Sequence, residues 1–282
     1  MVLNLLLNPI SAEKRPWQMF FLGVIFSSLS IILSLVVFKS HSSLVMIFLS
    51  VLMSFPIIYN TVKYEEIKDE SQAPEKTLLK EHSKALEVFM FLFLGFLIAY
   101  TLWFMFLPQE YLTVVFSAQL ETITNINTII QGNTIQAAHL KPIFFNNLRV
   151  LSICVLFSFL YGVGAMFILS WNAAVIAAAA GTFIRENLAH ISNYFGIEFA
   201  ARYFHIFSVG ILKFMIHGFF EILAYLVAAL AGGIISIAVI RHVLGSDKFE
   251  KIIFDVSDLL IISIVLLFIA AMVEVFITPR FF

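Results

Sequence analysis

The sequence predicts an all-α membrane protein that crosses the bilayer several times. Of its 282 residues, 61% are hydrophobic and only 12% are charged, and the mean hydropathy is +0.99. Soluble domains are about 45–50% apolar and about 25% charged, so a water-soluble fold cannot bury this much apolar surface. The net charge of −1 argues against nucleic acid as a partner. We therefore expect the lipid bilayer to surround most of the chain.

Apolar runs of about 20 residues, the length of a membrane-spanning helix, predict six or seven spans in one integral membrane domain, 1–282. The first two runs form an N-terminal helical hairpin at 17–60. Further spans are expected at 88–106, 150–169 and 258–277. The run at 172–184 is too short for a crossing and 203–240 is too long, which is typical of a broken or re-entrant helix. If 172–189 crosses, there are seven spans and an outside C-terminus; if it is re-entrant, there are six and the C-terminus is inside.

Basic residues predict the orientation. Lys14 and Arg15 precede the first span, and the charged loop at 62–87 carries five lysines. Both segments belong inside by the positive-inside rule, so we expect a multi-pass protein of the cell membrane with a cytoplasmic N-terminus. The loop at 62–87 also holds several carboxylates and is interpreted as a solvated connector, partly helical. The loop at 107–147 then lies outside.

That outer loop contains an amphipathic pattern. Apolar residues recur every three or four positions at Phe116, Leu120, Ile123 and Ile130, which predicts a helix lying on the outer membrane surface. Two interpretations remain open. The helix is either a lid packed on the other helices or a docking surface for an extracytoplasmic protein.

The segment at 148–240 is rich in small residues and holds an intramembrane polar cluster. The glycines that we expect to allow close helix packing are Gly162, Gly164, Gly181, Gly218 and Gly232. His217 and Glu221 lie four residues apart, so a helix places them on one face, and Asn172 is expected to point into the same bundle. Ionisable groups within a membrane are functional candidates by default. The cluster is either a structural fastener or a site for binding or proton transfer.

Other chemistry finds no support in the sequence. Zinc needs three or four ligands, and no third histidine or cysteine accompanies His217 and Glu221, so we expect no metal and no cofactor. Cys154 is the single cysteine, which excludes an intramolecular disulfide. No catalytic motif of a hydrolase is present, and we expect a protein that is not an enzyme.

A family resemblance rests on these residues. The order Gly162-x-Gly164, Asn172, Gly181, then His217-Gly218-x-x-Glu221 with Ala224, Ala228 and Gly232, resembles the stage II sporulation protein M family. The N-terminal Asn8-Pro9, the stretch at 12–17 and the block at 146–150 resemble its archaeal branch. One position departs: the family often has a proline directly before the His-Gly, where this chain has Ile216.

The resemblance implies a membrane scaffold. The bacterial namesake looks like an anchor that gathers cell-wall hydrolases during engulfment of the forespore, whereas the archaeal branch occurs in organisms that do not sporulate. We therefore expect a non-enzymatic scaffold that positions membrane or extracytoplasmic partner proteins, with a homo-oligomer left open. The alternative is a transporter or channel component that uses His217 and Glu221 as an intramembrane polar site.

Overall fold

A computed structural model describes residues 8–69, 75–130, 136–159, 163–191, 193, 195–241 and 246–280. These residues form ten α-helices and two short 3-10 turns, and no strand occurs among them. The helices are α1 (Pro9–Lys14), α2 (Trp17–Val37), α3 (Ser42–Asp69), α4 (Glu75–Phe106), α5 (Gln109–Val115), α6 (Ser117–Ile130), α7 (Gln136–Ser158), α8 (Val163–Ala189), α9 (Gly196–Arg241) and α10 (Asp247–Phe276). Seven of them, α2–α4 and α7–α10, are long and apolar enough to cross a membrane. The fold is an all-α polytopic membrane protein.

A close glycine contact joins the N-terminal hairpin to the rest of the bundle. Helices α2 and α4 meet at Gly23 and Gly95: a Cβ placed on Gly23 would lie 2.6 Å from the carbonyl oxygen of Leu92 and 3.0 Å from the Cα of Gly95. Small residues allow this backbone approach, which drives helix association in membranes through packing. Neither glycine was among those predicted to matter.

Charged side chains tie several helices together at one end of the bundle, which we name the Glu65 end. Lys68 Nζ lies 2.6 Å from Glu65 on its own helix and 2.9 Å from Glu13 of α1. His82 Nδ1 of α4 lies 2.7 Å from the other oxygen of Glu65. Arg241, the last residue of α9, pairs with Glu66 of α3. The start of the chain and the end of α9 therefore lie at the same end of the bundle, and α10 runs from there toward the opposite end.

This arrangement corrects the expectation of a solvated loop at 62–87. Helix α3 continues to Asp69 and α4 begins at Glu75, so most of that segment is helical. Glu65, Glu66 and His82 are buried. These three side chains belong to a buried cluster between helices, whereas Lys63 and Glu87 are exposed; a count of charged residues along the sequence cannot separate the two groups.

The predicted single span at 150–169 is wrong. Helix α7 ends at Ser158 and α8 begins at Val163, beside the middle of α9. A Cβ on Gly232 would overlap the Ser158 hydroxyl, and Ser236 Oγ donates to the Phe159 carbonyl at 2.7 Å. Along α9, Gly232 lies about 13 Å from Arg241 and about 16 Å from Glu221, at 1.5 Å per residue. The end of α7 therefore lies beside Gly232, and the hairpin extends from there about 33 Å along α9 to Gly210, which contacts Ile184 of α8.

Helices α7 and α8 thus form an antiparallel hairpin, and each is long and apolar enough to cross a membrane. The stretch at 172–184, for which a crossing and a re-entrant segment were both open, lies inside the continuous α8. From the turn, α8 runs along α4: Ser170 hydrogen-bonds Tyr100 at 3.1 Å, and Arg185 donates to the Phe104 carbonyl at 3.3 Å, near the end of α4. Both ends of the hairpin lie away from the Glu65 end.

Helix α9 is one unbroken helix of 46 residues, so the expected break before His217 is absent. Its length is about 69 Å, whereas the hydrocarbon core of a bilayer is about 30 Å thick. Its last residue pairs with Glu66 and Gly210 still contacts Ile184 of α8, so its first turns, where residues 196–202 are all exposed, extend beyond the opposite end of the bundle. We name residues 196–215 the arm.

The outer amphipathic helix follows the lid interpretation. Phe116 is fully buried, with its ring centroid 5.0 Å from that of Phe104, and Leu120 and Ile123 pack against the same core. Gln119 Nε2 donates to the Ser43 carbonyl at 3.3 Å. This apolar face is therefore occupied by the protein itself and is not a docking surface. The Ile130 side chain lies outside the described part of the chain.

Candidate intramembrane polar site

Glu221 of α9 lies where three helices meet. The side-chain amide of Asn147, on α7, donates to Glu221 Oε1. The carboxyl of Glu274, near the end of α10, is in hydrogen-bonding contact with Glu221. Asn147 is buried, and the buried Tyr225, one turn further along α9, neighbours both carboxyls. The site therefore joins the α7–α8 hairpin to the α9–α10 pair.

His217 lies one turn before Glu221 and also faces the end of α10. Its Nδ1 lies 3.3 Å from Thr278 Oγ1. The Thr278 hydroxyl also lies 3.2 Å from the Val273 carbonyl, which can accept its hydrogen. His217 and Glu221 are four residues apart on α9, and Thr278 and Glu274 are four apart at the end of the antiparallel α10. The contacts His217–Thr278 and Glu221–Glu274 therefore lie one helical turn apart, and we name these four residues the α9–α10 clasp.

The two residues that the sequence placed on one face of a helix each contact the end of the α10 segment: His217 contacts Thr278, and Glu221 contacts Glu274. Asn172 was expected in the same cluster, but its side-chain amide donates to the Ile168 carbonyl of its own helix at 3.0 Å. Such bonds to the preceding turn are local. Of the three predicted cluster residues, the structure therefore brings His217 and Glu221 to the contact between α9 and the α10 segment. Asn172 instead forms a hydrogen bond within its own helix, α8.

Sequence reasoning missed Glu274 and Asn147. Glu274 lies in the last apolar span, where a carboxyl is costly and so marks a functional candidate; that signal was available. Asn147 fell at the end of the predicted outer loop, 107–147, and only the three-dimensional structure shows that α7 has already entered the bundle at this residue.

The chemistry of the site follows from two carboxyls in contact. Like charges this close cannot both be ionised without compensation, and the polar groups that contact Glu221 are the Asn147 amide and the second carboxyl. The pair can therefore share one proton or hold one cation. Among the described residues, no group of three or more histidine, cysteine or acidic side chains is placed to hold a metal ion.

The predicted packing glycines behave differently from one another. A Cβ on Gly164 would overlap the Phe157 carbonyl, one on Gly181 would overlap the Phe104 ring, and one on Gly232 would overlap Ser158. Gly218, beside His217, has no atom within 4 Å of such a Cβ, so close packing does not require a glycine there. Gly162 lies outside the described residues.

A second polar cluster, at the Glu65 end, is distinct from the clasp. The Glu13 side chain is 7% exposed. Burial raises its pKa to about 7, with Glu65 adding to the increase and Lys68 opposing it. Glu65 itself contacts both Lys68 and His82. This cluster fastens α1 to α3 and α4.

The fold and the clasp define a polytopic helical membrane protein with seven candidate spans and a pair of carboxyls within those spans. Comparison with known families gives one match: the model described as stage II sporulation protein M matches residues 88–279. The chain belongs to that family. The matched region contains the hairpin, the arm and the clasp, whereas α1–α3 precede it. Neither the curated proteins nor the solved structures provide a match.

Proposed function

We propose that this protein is a non-enzymatic membrane scaffold whose arm positions a partner protein outside the membrane. The observation that carries the proposal is the length of α9, which ends at the Arg241–Glu66 pair and continues for 46 residues toward the opposite side. Even with a tilt of about 40°, the upper range for membrane helices, a helix of this length spans about 53 Å along the membrane normal. About 20 Å or more of it must then project from the hydrocarbon core.

The surface of the arm supports a role in protein contact. Ile197 is 90% exposed, Phe204 is 70% exposed and Leu212 is 53% exposed. Apolar side chains that project into water in a contiguous patch mark interaction sites. The rest of the bundle supplies the membrane anchor, and the clasp keeps the arm-bearing helix attached to α10.

The orientation of the scaffold follows from its basic residues. Lys14, Arg15 and Lys63 lie near the Glu65 end, and the positive-inside rule places such residues in the cytoplasm. The N-terminus is then cytoplasmic in the cell membrane, and the arm faces the extracytoplasmic side. The partner is accordingly an extracytoplasmic protein or the outer domain of a membrane protein.

Affinity purification tests the scaffold. The tagged protein is isolated from its native membrane in mild detergent, and co-purifying proteins are identified by mass spectrometry. We expect a stoichiometric partner with an extracytoplasmic domain, lost in Phe204→Glu and retained in Arg202→Ala. The matched control lies on the polar side of the arm, where Arg202 pairs with Glu198 at 3.0 Å. Recovery of the wild-type protein alone would contradict the proposal.

A second candidate function, ion-coupled transport, is favoured by one observation: Glu274 gives Glu221 a second carboxyl within the membrane. Such pairs occur on proton pathways. Proton uptake into proteoliposomes under an imposed membrane potential tests this function. Transport predicts uptake by the wild type that Glu221→Gln or Glu274→Gln abolishes and that Glu198→Gln, on the exposed arm, leaves intact. No uptake by a folded wild-type protein would eliminate the candidate.

A further inference from the structure

The exposed side of the arm carries a seam with a regular spacing. Ile197, Ala201, Phe204, Ser208 and Ile211 follow one another at steps of four, three, four and three residues. This alternation is the seam of a two-stranded coiled coil, in which such positions stay on the contact side along both helices. Ile197, Ala201 and Phe204 are exposed in the monomer, and Ser208 and Ile211 are half-buried.

The protein's own contacts lie on another side of the arm. Gly210 faces α8, where an added Cβ would be 2.7 Å from Ile184 Cγ1. Lys213 lies over the Phe183 ring at 5.3 Å. In a helix with 3.6 residues per turn, Gly210 and Lys213 point away from the line through Ile197 and Phe204. The arm is therefore held from one side, and the seam faces outward.

Membrane anchoring fixes the direction of the arm. Because α9 is continuous from the arm to Arg241, every copy in one membrane projects its arm to the same side. A twofold axis along the membrane normal then brings the seam of one copy against the identical seam of another in parallel. Such isologous contacts are the commonest form of oligomer, and confinement to one membrane raises the effective concentration of the second copy.

The chemistry of the seam suits a second copy. Its members are apolar or small, and large residues alternate with small ones, so that two helices can approach closely. The nearest charges, Glu198 and Arg202, neutralise each other within one arm, which removes like-charge repulsion between copies. The seam spans only about two heptads, fewer than the three or four that soluble coiled coils need, so pairing depends on the membrane anchor.

We propose that two copies of this chain pair their arms in parallel through Ile197, Ala201, Phe204 and Ser208. This inference rests on the proposed function in so far as the paired arms form the platform on which the scaffold's partner docks. It differs from that function in naming the occupant of the seam as a second copy.

Cysteine cross-linking in native membranes tests the pairing. The native Cys154 is fully buried and stays in place as an internal background. Cysteines introduced singly by Ala201→Cys and Ser208→Cys lie in the seam, and Arg202→Cys is the matched control on the opposite side. Parallel seam positions bring Cα atoms within the roughly 4.4–6.8 Å that a disulfide requires. We expect mild oxidation to give several-fold more covalent dimer from the two seam variants than from the control.

Further variants separate pairing from random collision. Phe204→Glu added to the Ala201→Cys protein should abolish its cross-link, and Phe204→Leu should retain it. Equal cross-linking at positions 201, 202 and 208, or none in the seam, would overturn the pairing. If the seam does not cross-link but a different protein is recovered and lost in Phe204→Glu, the scaffold stands and self-pairing fails. If the seam cross-links and no partner is recovered, self-pairing stands and the scaffold fails.

Discussion

A single methyl group at Gly95 should separate the N-terminal hairpin from the bundle. In the structure, a Cβ on Gly95 overlaps the carbonyl oxygen of Phe20 and lies 2.9 Å from the Cα of Gly23. Both are backbone atoms of α2, so no side-chain rotation can relieve the overlap. The substitution Gly95→Ala therefore forces α2 and α4 apart over a contact that continues on both sides of the glycine pair.

The magnitude follows from two opposing effects. Alanine is favoured over glycine inside a helix by roughly 0.5–1 kcal/mol, which stabilises the folded state. Overpacking a close contact costs about 1–3 kcal/mol and occasionally more. Because the obstruction is backbone, we place Gly95→Ala near or above the upper end of that range, at about 3 kcal/mol. After the gain of roughly 0.5–1 kcal/mol in helix propensity, the free energy of unfolding should fall by about 2 kcal/mol or more.

Gly218→Ala provides the matched control. It is the same change inside a helix of the same protein, but no atom lies within 4 Å of the added Cβ, so only the gain of helix propensity remains. Thermal unfolding in detergent, followed by circular dichroism, should show a lower melting temperature for Gly95→Ala and an unchanged or higher one for Gly218→Ala. The packing argument fails if Gly95→Ala is as stable as the wild type, or if both variants lose stability equally.

Three further predictions concern the two polar clusters, each measured by the same unfolding assay. Glu274→Gln should leave stability unchanged or raise it, because it removes a charge of the same sign as that of Glu221. Glu221→Leu removes the buried acceptor of the Asn147 hydrogen bond and should cost about 1–3 kcal/mol. Equal losses in the two variants would contradict a proton shared by the two carboxyls. The pKa of Glu13 is near 4.5 when unfolded and about 7 when folded, so the folded state binds the proton more tightly. Its contribution to stability is then fully present below pH 4.5 and lost as the pH rises to about 7, and Glu13→Gln should remove this dependence; an unchanged profile would refute it. Arg241→Met deprives the buried Glu66 of an ionic partner and should cost about 1.5–3 kcal/mol, and full stability in this variant would show that the pair does not hold α9 in place.

Hydropathy predicted a polytopic membrane fold because that class of fold depends on how much apolar surface the chain carries and on the length of its apolar runs. The helix Trp17–Val37 begins at the first residue of the expected hairpin, 17–60. The same measure failed at 150–169, where α7 ends at Ser158 and α8 begins at Val163, because an apolar connection between two helices has the hydropathy of a span. Glycine often interrupts a regular element, so the glycines at 162 and 164 were the local cue in the sequence.

The polar site shows what local spacing can and cannot predict. The four-residue spacing of His217 and Glu221 correctly placed both on one helix. The partners of Glu221 are Asn147 of α7 and Glu274 of α10. Both lie more than 50 residues from Glu221 along the chain, and no spacing rule connects them to it. A carboxyl in the last apolar span was nevertheless visible in the sequence, and the cost of burying it predicts that another polar group must face it.

Ile216 explains why α9 is continuous next to the clasp. Proline before the His-Gly would remove a backbone hydrogen bond and clash with the preceding turn, and so would divide the helix next to the clasp. Ile216 retains the N–H, and α9 runs unbroken from Gly196 to Arg241. The arm, the clasp and the Arg241–Glu66 pair are therefore parts of one rigid element. Helix α9 is held by Asn147 of α7 and Glu274 of α10 and, at the Glu65 end, by Glu66, which is the arrangement that the proposed scaffold would need.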